Sequence, residues 1–282
     1  MSKVEMIDGM SFADYVNIDA VNASTLLTHW GRTPLEARYE QLHGNDSSSA
    51  MTVGSAAHAA ILETNTFEDV FVTQPTAGGL GFGDFRTKAA REARDTWLDE
   101  HKDSVTLTDS EYATAIGMRD ATKKDEFLTS LLTSPGKNEL TLVWTDKGTG
   151  LKCKARLDRI TTYQGWNTLI DVKTARDLDT ESCKRAIAKY HYHIRMAWYA
   201  DALQLLFKGK KEIRVCLMWI KNSPPYLGRV QDLEDDSLAE GRRQYKRLFK
   251  LQAEGLKNNK WPGFPDCVEP VELPSWAYGN DE

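Results

Sequence analysis

The stretch that decides the fold is ELTLVWTDKGTGLKCKARLDRITTYQGWNTLIDVKT, residues 139–174. It contains three β-like runs, at 139–146, 151–163 and 166–174, rich in alternating, β-branched and aromatic residues. KGTG, residues 147–150, is typical of a hairpin turn between the first two runs, and Gln164-Gly165 indicates a second turn. The sequence therefore predicts three consecutive strands near the middle of the chain.

Helical periodicity surrounds these strands. The predicted helices cover about residues 23–30, 35–42, 51–63, 86–101, 109–132, 181–207 and 235–252. A further strand is predicted at 212–221, and Asp109 is the predicted N-cap of the helix that it begins. No repeat or long linker interrupts the chain, so we expect a single domain over residues 1–282, with an N-terminal helical part and a proline-bearing C-terminal tail. The predicted fold class is α/β, a central mixed sheet flanked by helices.

Composition excludes several classes of protein. The 282 residues are 41% hydrophobic and 27% charged, which suits a globular protein with an ordinary core. No apolar run approaches the ~20 residues of a membrane span, and the first residues lack a signal-peptide layout, so we expect a cytoplasmic protein with no membrane partner. The four cysteines are scattered without a CxxC pair, which argues against structural zinc, an iron–sulfur cluster and a disulfide framework.

Two acidic residues on neighbouring predicted strands are candidates for chemistry. Alternation places Arg156 on the same side of its strand as Asp158. Asp171 and Lys173 flank Val172 and therefore point the same way, whereas Val172 points into the core. Asp171 lies 13 positions after Asp158, which allows a turn and a return, so both carboxylates and the lysine can meet on one surface.

This combination is suited to phosphodiester hydrolysis. Two carboxylates and a backbone carbonyl, here that of Val172, are the oxygen ligands that Mg²⁺ prefers. Such an ion polarises a phosphoryl oxygen and lowers the pKa of a bound water, which Lys173 can position or deprotonate. On spacing alone, an alternative stays open: Asp158 and Asp171 are salt-bridged residues at strand ends.

The order of these residues resembles a known nuclease core. Glu139, then Arg156-Leu157-Asp158, then Asp171-Val172-Lys173 is similar to the PDDEXK core, and GSAAHAAILE at 54–63 resembles the helix that carries an extra metal-binding histidine in the branch with RecB and RecE nuclease domains. The wider frame resembles the RecE-type (exonuclease VIII-like) phage and prophage exonucleases from about residue 22 to 270. The segments that carry this resemblance are NASTLLTHWGRTPLEARYE (22–40), FRTKAARE (85–92), GLKCKARLDRI (150–160) and YHYHIRMAWYADAL (190–203).

The resemblance implies a site and an activity. His58, Asp158 and Asp171 would bind Mg²⁺, or Mn²⁺, together with the Val172 carbonyl. Lys173 would be the catalytic lysine, and Glu139 would complete the catalytic set beside the metal. The implied reaction removes nucleotides from the 5′-strand of linear double-stranded DNA and leaves 3′ overhangs. The implied partners are DNA ends, a RecT-like single-strand annealing protein and further copies of the chain in a ring-shaped oligomer.

Five basic residues are candidates for contact with DNA: Arg32, Arg86, Lys88, Arg156 and Arg195. Arg195 stands where a Gln is common in such nucleases, four residues before Tyr199, and an arginine there can contact a phosphate directly. Solvated surface positions are the alternative for Arg86 and Lys88. The net charge of −5 is unpromising for a DNA enzyme, but residues 151–215 hold 14 Lys and Arg against 7 Asp and Glu. This imbalance predicts a basic active-site channel in an acidic body.

Two other functions stay open at this point. One is a RecB-like or CRISPR-adaptation-like nuclease that acts on single-stranded DNA within a larger complex. The other is a catalytically silent nuclease fold that only binds DNA or a partner. His58 has its own alternative, because a lone histidine among alanines is more often a hydrogen-bonded core residue than a metal ligand.

Overall fold

The computed structural model describes residues 3–44, 49–274 and 277–278. Its strands are β1 (Val4–Ile7), β2 (Phe71–Thr73), β3 (Val105–Leu107), β4 (Gly136–Thr145), β5 (Lys152–Tyr163), β6 (Trp166–Ala175), β7 (Ile213–Lys221) and β8 (Gly228–Asp232). Its helices are α1 (Phe12–Asn17), α2 (Ala23–Leu27), α3 (Pro34–His43), α4 (Ser49–Leu62), α5 (Phe67–Val70), α6 (Lys88–Glu100), α7 (Asp109–Lys124), α8 (Glu126–Thr133), α9 (Thr180–Lys189), α10 (Tyr192–Leu206) and α11 (Asp235–Asn258).

A six-stranded mixed sheet forms the centre of the molecule, in the order β1-β4-β5-β6-β7-β8. All its neighbours pair antiparallel except β6 and β7, which are parallel and are joined through α9 and α10. β2 and β3 form a separate parallel pair. The predicted α/β class, with helices on a mixed sheet, is confirmed. β1, β2, β3 and β8 were not predicted, because runs of three to five residues carry too little alternation to be recognised.

Each face of the sheet is covered by its own group of helices. On one face, Leu157 of β5 and Leu217 of β7 pack with residues of α2, α10 and α11, among them the buried Trp198. On the other face, Ile170 and Met218 pack with α4, α7 and α8. Within the described ranges, no helix is both long enough and apolar enough to cross a bilayer.

Two helices predicted as continuous are broken. The predicted helix at 109–132 is interrupted at Asp125, whose side chain accepts a hydrogen bond from the Leu128 backbone N–H and so starts α8. The helix predicted at 181–207 is interrupted at His191, which has a left-handed backbone (φ 56°) between α9 and α10. Thr108, rather than Asp109, caps α7, in a reciprocal pair of hydrogen bonds with Glu111.

The two central strands, β5 and β6, separate at one end of the sheet. β5 pairs with β6 only from Arg159 to Tyr163, opposite Trp166 to Ile170. Beyond that point β5 stays paired with β4, and β6 stays paired with β7 as far as Ala175. The gap between the diverging strands, which we call the fork, leaves residues 158 and 171–173 without β5–β6 strand pairing. This is where the candidate residues meet.

Candidate active site

His58 enters the fork from a helix made of small residues. Its neighbours Ala57 and Ala60 are fully buried, and a Cβ added at Gly54 would lie only 3.4 Å from the Thr174 hydroxyl of β6, so α4 lies close to the sheet. The His58 imidazole stands between two carboxylates, with Nε2 2.8 Å from Asp158 Oδ2 and Nδ1 3.4 Å from Glu139 Oε1. Its side chain is 24% exposed, so it is not an enclosed core histidine.

Glu139 and its neighbour Asn138 both face α4, at an irregular position in β4. Glu139 has a positive φ of 51°, a conformation rare for a residue with a side chain. Consecutive side chains of a regular strand point to opposite faces. Here Asn138 donates to the Leu62 carbonyl of α4 while Glu139 faces His58 of α4, so both lie on one side. Leu140 belongs to the core on the α10 face, so alternation places Glu139 on the α4 side, and the unusual backbone brings Asn138 to that side as well, an irregularity common at functional sites.

Asp158 lies at the point where β5 and β6 diverge. Its Oδ2 accepts a hydrogen bond from the Val172 backbone N–H at 2.7 Å, an N–H that the separating strands leave without a ladder partner. The same oxygen contacts His58. Burial raises the pKa of Asp158, but the adjacent His58 outweighs burial and brings that pKa down to about 2. Asp158 is therefore held as a carboxylate.

Asp171 and Lys173 form the other half of the site. Their residue partners on β7 are Leu217 and Trp219, which belong to the core on the α10 face. Lys173 pairs closely with Asp171, and its Nζ also donates to the Val172 carbonyl at 3.2 Å. Burial raises the pKa of Asp171, and the neighbouring Asp158 raises it further, while Lys173 opposes both. Burial lowers the pKa of Lys173, but Asp171 outweighs it and raises that pKa, so the amine is charged.

The pKa values of Glu139 and His58 are both raised. Burial raises the pKa of Glu139 to about 7, although the neighbouring His58 and Arg156 oppose the change. Burial lowers the pKa of His58, but the adjacent Asp158 reverses this and raises it to about 9. In the metal-free chain the imidazole therefore carries a proton that a bound cation would have to displace.

The site can hold a divalent cation. Ligand atoms of His58, Glu139 and Asp158 all lie within 4.8 Å of one another, and among the described residues this is the group with that property. Within the same part of the chain, Glu139 Oε1 is buried without a hydrogen-bond partner. An imidazole and two carboxylates, one of which has an oxygen that accepts no hydrogen bond, fit a divalent metal ion. The sequence predicted Asp171 as a ligand; the group of atoms within 4.8 Å contains Glu139 instead, Asp171 pairs with Lys173, and the ligand set stays a prediction.

Arg156, a predicted DNA contact, points into the protein. Its side chain is only 7% exposed. Its Nε donates to Glu139 Oε2 at 2.5 Å, one terminal nitrogen donates to the Met10 carbonyl at 2.6 Å, and the other lies 3.4 Å from Glu63 Oε1. The guanidinium thus joins the N-terminal segment, the end of α4 and β4, and it holds a carboxylate of the candidate metal site. Glu63 is a neighbour that the sequence did not single out.

Arg195 lies on the Lys173 side of the site. Its Nε is buried and has no hydrogen-bond partner within the described ranges. Burial lowers the pKa of Arg195, but the charges of Tyr199, Asp171 and Asp158 together outweigh burial and raise that pKa. The predicted basic position is therefore within electrostatic reach of the site.

The other three predicted DNA contacts lie on the surface beside acidic residues. Arg32 pairs with Glu40 of α3, Arg86 with Asp84, and Lys88 with Glu92 at 3.6 Å. The Arg86 side chain is 90% exposed. Arg86 and Lys88 keep solvation as an alternative role. Lys154 is also used internally, since its Nζ donates to the backbone carbonyls of Tyr15, Val16 and Ile18. Part of the positive excess of residues 151–215 therefore does not face a channel.

Tyr192 is a site neighbour that sequence reasoning missed. The Lys173 Nζ lies 5.2 Å from the centre of its ring. The signal that could have found it is the YHYH run at 190–193, but a continuous helix there placed no residue at a corner.

Comparisons with known proteins agree with this geometry. The family model described as "PDDEXK-like domain of unknown function (DUF3799)" matches residues 24–271. The crystal structure of a "Putative exonuclease" from Eubacterium rectale aligns with a TM-score of 0.58 at 14% identity, over 94% of this chain and 96% of that chain. At that identity the likeness shows the fold alone. The crystal structure of SSO0001 aligns with a TM-score of only 0.29 at 17% identity, over 70% of this chain and 86% of that chain.

No curated protein matches the sequence significantly. The family match covers most of the chain, and the central mixed sheet flanked by helices is the fold class that the sequence predicted. The chain therefore belongs to the PDDEXK-like domain family DUF3799 and has a PDDEXK nuclease fold.

Proposed function

We propose that the chain is a divalent-metal-dependent DNA exonuclease that degrades the 5′-strand of linear double-stranded DNA and leaves 3′ single-stranded overhangs. The observation that carries the proposal is the fork, where His58, Glu139 and Asp158 converge beside the Asp171–Lys173 pair. The family membership supports a nuclease, and the name of the Eubacterium rectale protein supports an exonuclease. The polarity and the duplex substrate rest on the RecE-like sequence segments.

His58, Glu139 and Asp158 would hold the ion, Mg²⁺ or Mn²⁺, with Asp171 and the Val172 carbonyl at its edge. When bound, such an ion supplies Lewis-acid polarisation of a phosphoryl oxygen and a lowered pKa for a coordinated water. Lys173 is already charged and is positioned by Asp171 and by the Val172 carbonyl. Its role is to orient the attacking water and to stabilise negative charge on the phosphate in the transition state.

Arg195 supplies a second cation on the Lys173 side. Its guanidinium presents a fixed, planar set of donors, and Nε has no protein partner within the described ranges. In this proposal it binds a non-bridging oxygen of the phosphate and so fixes the backbone of the strand to be cut. A silent nuclease fold has no need to keep a charged lysine, an arginine with an unpartnered Nε and a candidate divalent-cation site together in one fork.

The decisive experiment uses linear duplexes labelled on one strand at a time, with 5′-phosphate or 5′-hydroxyl ends, in the presence of Mg²⁺. We expect loss of the 5′-ended strand and accumulation of a long 3′-ended strand. Preferential loss of the 3′-ended strand would contradict the polarity but keep the nuclease. Cleavage of single-stranded DNA alone would favour the RecB-like or CRISPR-adaptation-like alternative. No product from wild type with Mg²⁺ or Mn²⁺ would contradict the catalytic proposal.

The assembly is part of the same proposal. We infer from the RecE-like segments that the chain forms a ring-shaped homo-oligomer around DNA and that the 3′ overhang passes to a RecT-like annealing protein. A mass measurement by light scattering, with and without duplex, tests the ring. A monomer under both conditions would contradict it.

A further inference from the structure

Two tyrosines form a stacked pair at the corner between α9 and α10. The rings of Tyr190 and Tyr192 have centroids 5.6 Å apart and an interplanar angle of 30°. Tyr190 caps the end of α9, where its backbone N–H donates to the Ala186 carbonyl, and His191 follows with a left-handed backbone. Tyr190 therefore lies between the two helices, and Tyr192 is the first residue of α10. Tyr190 is 52% exposed.

This pair leads directly from solvent to the candidate catalytic lysine. The inner ring, Tyr192, packs against Trp219 of the core at 5.9 Å and lies 5.2 Å from Lys173 Nζ. The outer ring, Tyr190, has Lys189 Nζ 5.1 Å from its centre. A rigid inner aromatic thus supports an exposed outer one, and a lysine stands at each end of the pair.

We propose that Tyr190 is a stacking platform for a nucleobase of the strand being cut, at or next to its end. The ligand class is an unpaired or fraying base, whose flat face stacks on the outer ring while its phosphate lies toward Lys189 or Lys173. The proposal rests on the proposed function, because it takes the phosphate to be positioned at Lys173. It adds a base-binding position that lies outside the metal-binding and phosphate-binding residues.

The chemistry favours a nucleobase over other occupants. Exposed aromatic rings in a cationic setting are the usual means of binding single strands without sequence preference, since every base offers a π face. The pair is flanked by cations, which suits a polyanion rather than an apolar peptide. An enzyme acting at a duplex end must also separate the last base from its partner, and a stacking surface offsets part of that cost.

The test compares Tyr190→Ala and Tyr190→Phe with Tyr39→Ala, a matched control. Tyr39 is also a surface tyrosine, 64% exposed and stacked on His43 with centroids 4.0 Å apart, but on α3. The probe is a blunt duplex with 2-aminopurine at the 5′-terminal position. Binding is measured with Ca²⁺ in place of Mg²⁺, and a separate incubation verifies that no cleavage product forms with Ca²⁺. Affinity and 2-aminopurine quenching are measured, and thermal unfolding verifies that each variant folds.

We expect Tyr190→Ala to weaken DNA binding about tenfold and to remove the quenching. Tyr190→Phe and Tyr39→Ala should behave as wild type. If Tyr190→Ala binds and quenches as wild type does, or if Tyr39→Ala loses as much affinity, the platform is wrong. Cleavage of the same duplex by wild type with Mg²⁺ would then leave the proposed function intact. If wild type neither binds nor cleaves DNA, both proposals fail.

Discussion

The two sides of the fork carry opposite imbalances of charge. On the α4 side, three carboxylates, Glu63, Glu139 and Asp158, face the Arg156 guanidinium and one imidazole, which becomes neutral when it binds a metal. On the α10 side, one carboxylate, Asp171, pairs with Lys173, and Arg195 of α10 adds a second cation whose Nε has no hydrogen-bond partner within the described ranges. The first side needs a cation and the second needs an anion. A divalent ion and a phosphate satisfy both needs at once, which is why the halves are more informative together than either acidic pair alone.

The largest expected effect is on the cation side of this comparison. Asp158→Asn retains an oxygen for the Val172 N–H but removes the charge that binds the ion, so we expect nuclease activity to fall by at least about 10³-fold. Calorimetric titration with Mn²⁺ should show loss of metal binding. Asp236→Asn, at an exposed position in the first turn of α11, is the matched control and should change neither. Normal metal binding by Asp158→Asn would remove Asp158 from the site.

The next effect separates the two sides. Lys173→Gln should lower the single-turnover cleavage rate by about 10²–10³-fold, because it removes a positioned charge and proton carrier. Its affinity for Mn²⁺ should stay within about threefold of wild type, since the α4-side ligands are unchanged. If metal binding were lost together with the rate, Lys173 and Asp171 would belong to the metal side, and the division into two halves would be wrong.

Sequence alone predicted the components of the site better than their arrangement. Strand alternation identified Asp158, Asp171 and Lys173, and the resemblance added His58 and Glu139. These assignments stay predictions, because geometry shows proximity and not chemistry. Alternation is a local rule, however, and it fails between Asn138 and Glu139, where the backbone has a positive φ and both side chains contact α4, which is distant in sequence.

The same limit explains the other differences. Arg156 is predicted at a DNA surface, but no pattern in the sequence indicates that Glu63, Glu139 and the Met10 carbonyl surround it. A count of charges along the chain does not distinguish a cation that faces solvent from one buried in ion pairs. The corner at His191 was also missed, because a left-handed residue between two good helical runs has no compositional mark when it is not glycine.

The pH dependence of metal binding probes the α4 side. The pKa of His58 is raised to about 9 in the metal-free chain, mainly by Asp158 acting against burial, so below pH 9 a metal must displace its proton. The affinity for Mn²⁺ should therefore rise about tenfold per pH unit from pH 7 to 9 and level off above pH 9. Calorimetry in buffers of different ionisation enthalpy should detect release of about one proton at pH 8.

The control for this dependence is His58→Gln, which should bind Mn²⁺ more weakly and with a flatter profile over the same range. The sign also applies to folding. The pKa of His58 is raised above its ordinary value, so the stability that it contributes is present below about pH 6.5 and is lost as pH rises to about 9. An affinity for Mn²⁺ that does not change between pH 7 and pH 9 would contradict the assignment of His58 as a ligand.

The smallest expected effect concerns the residue that orients the α4 side. The Arg156 Nε donates a hydrogen bond to Glu139 Oε2. Arg156→Lys keeps the charge but loses the planar guanidinium, so it should weaken Mn²⁺ binding about tenfold. Duplex affinity measured at saturating Ca²⁺ should stay within about twofold, because the guanidinium does not reach the surface. Arg32→Lys, at a partly exposed ion pair, is the control for metal binding. Weaker DNA binding with unchanged metal affinity would instead restore the DNA role that the sequence suggested for Arg156.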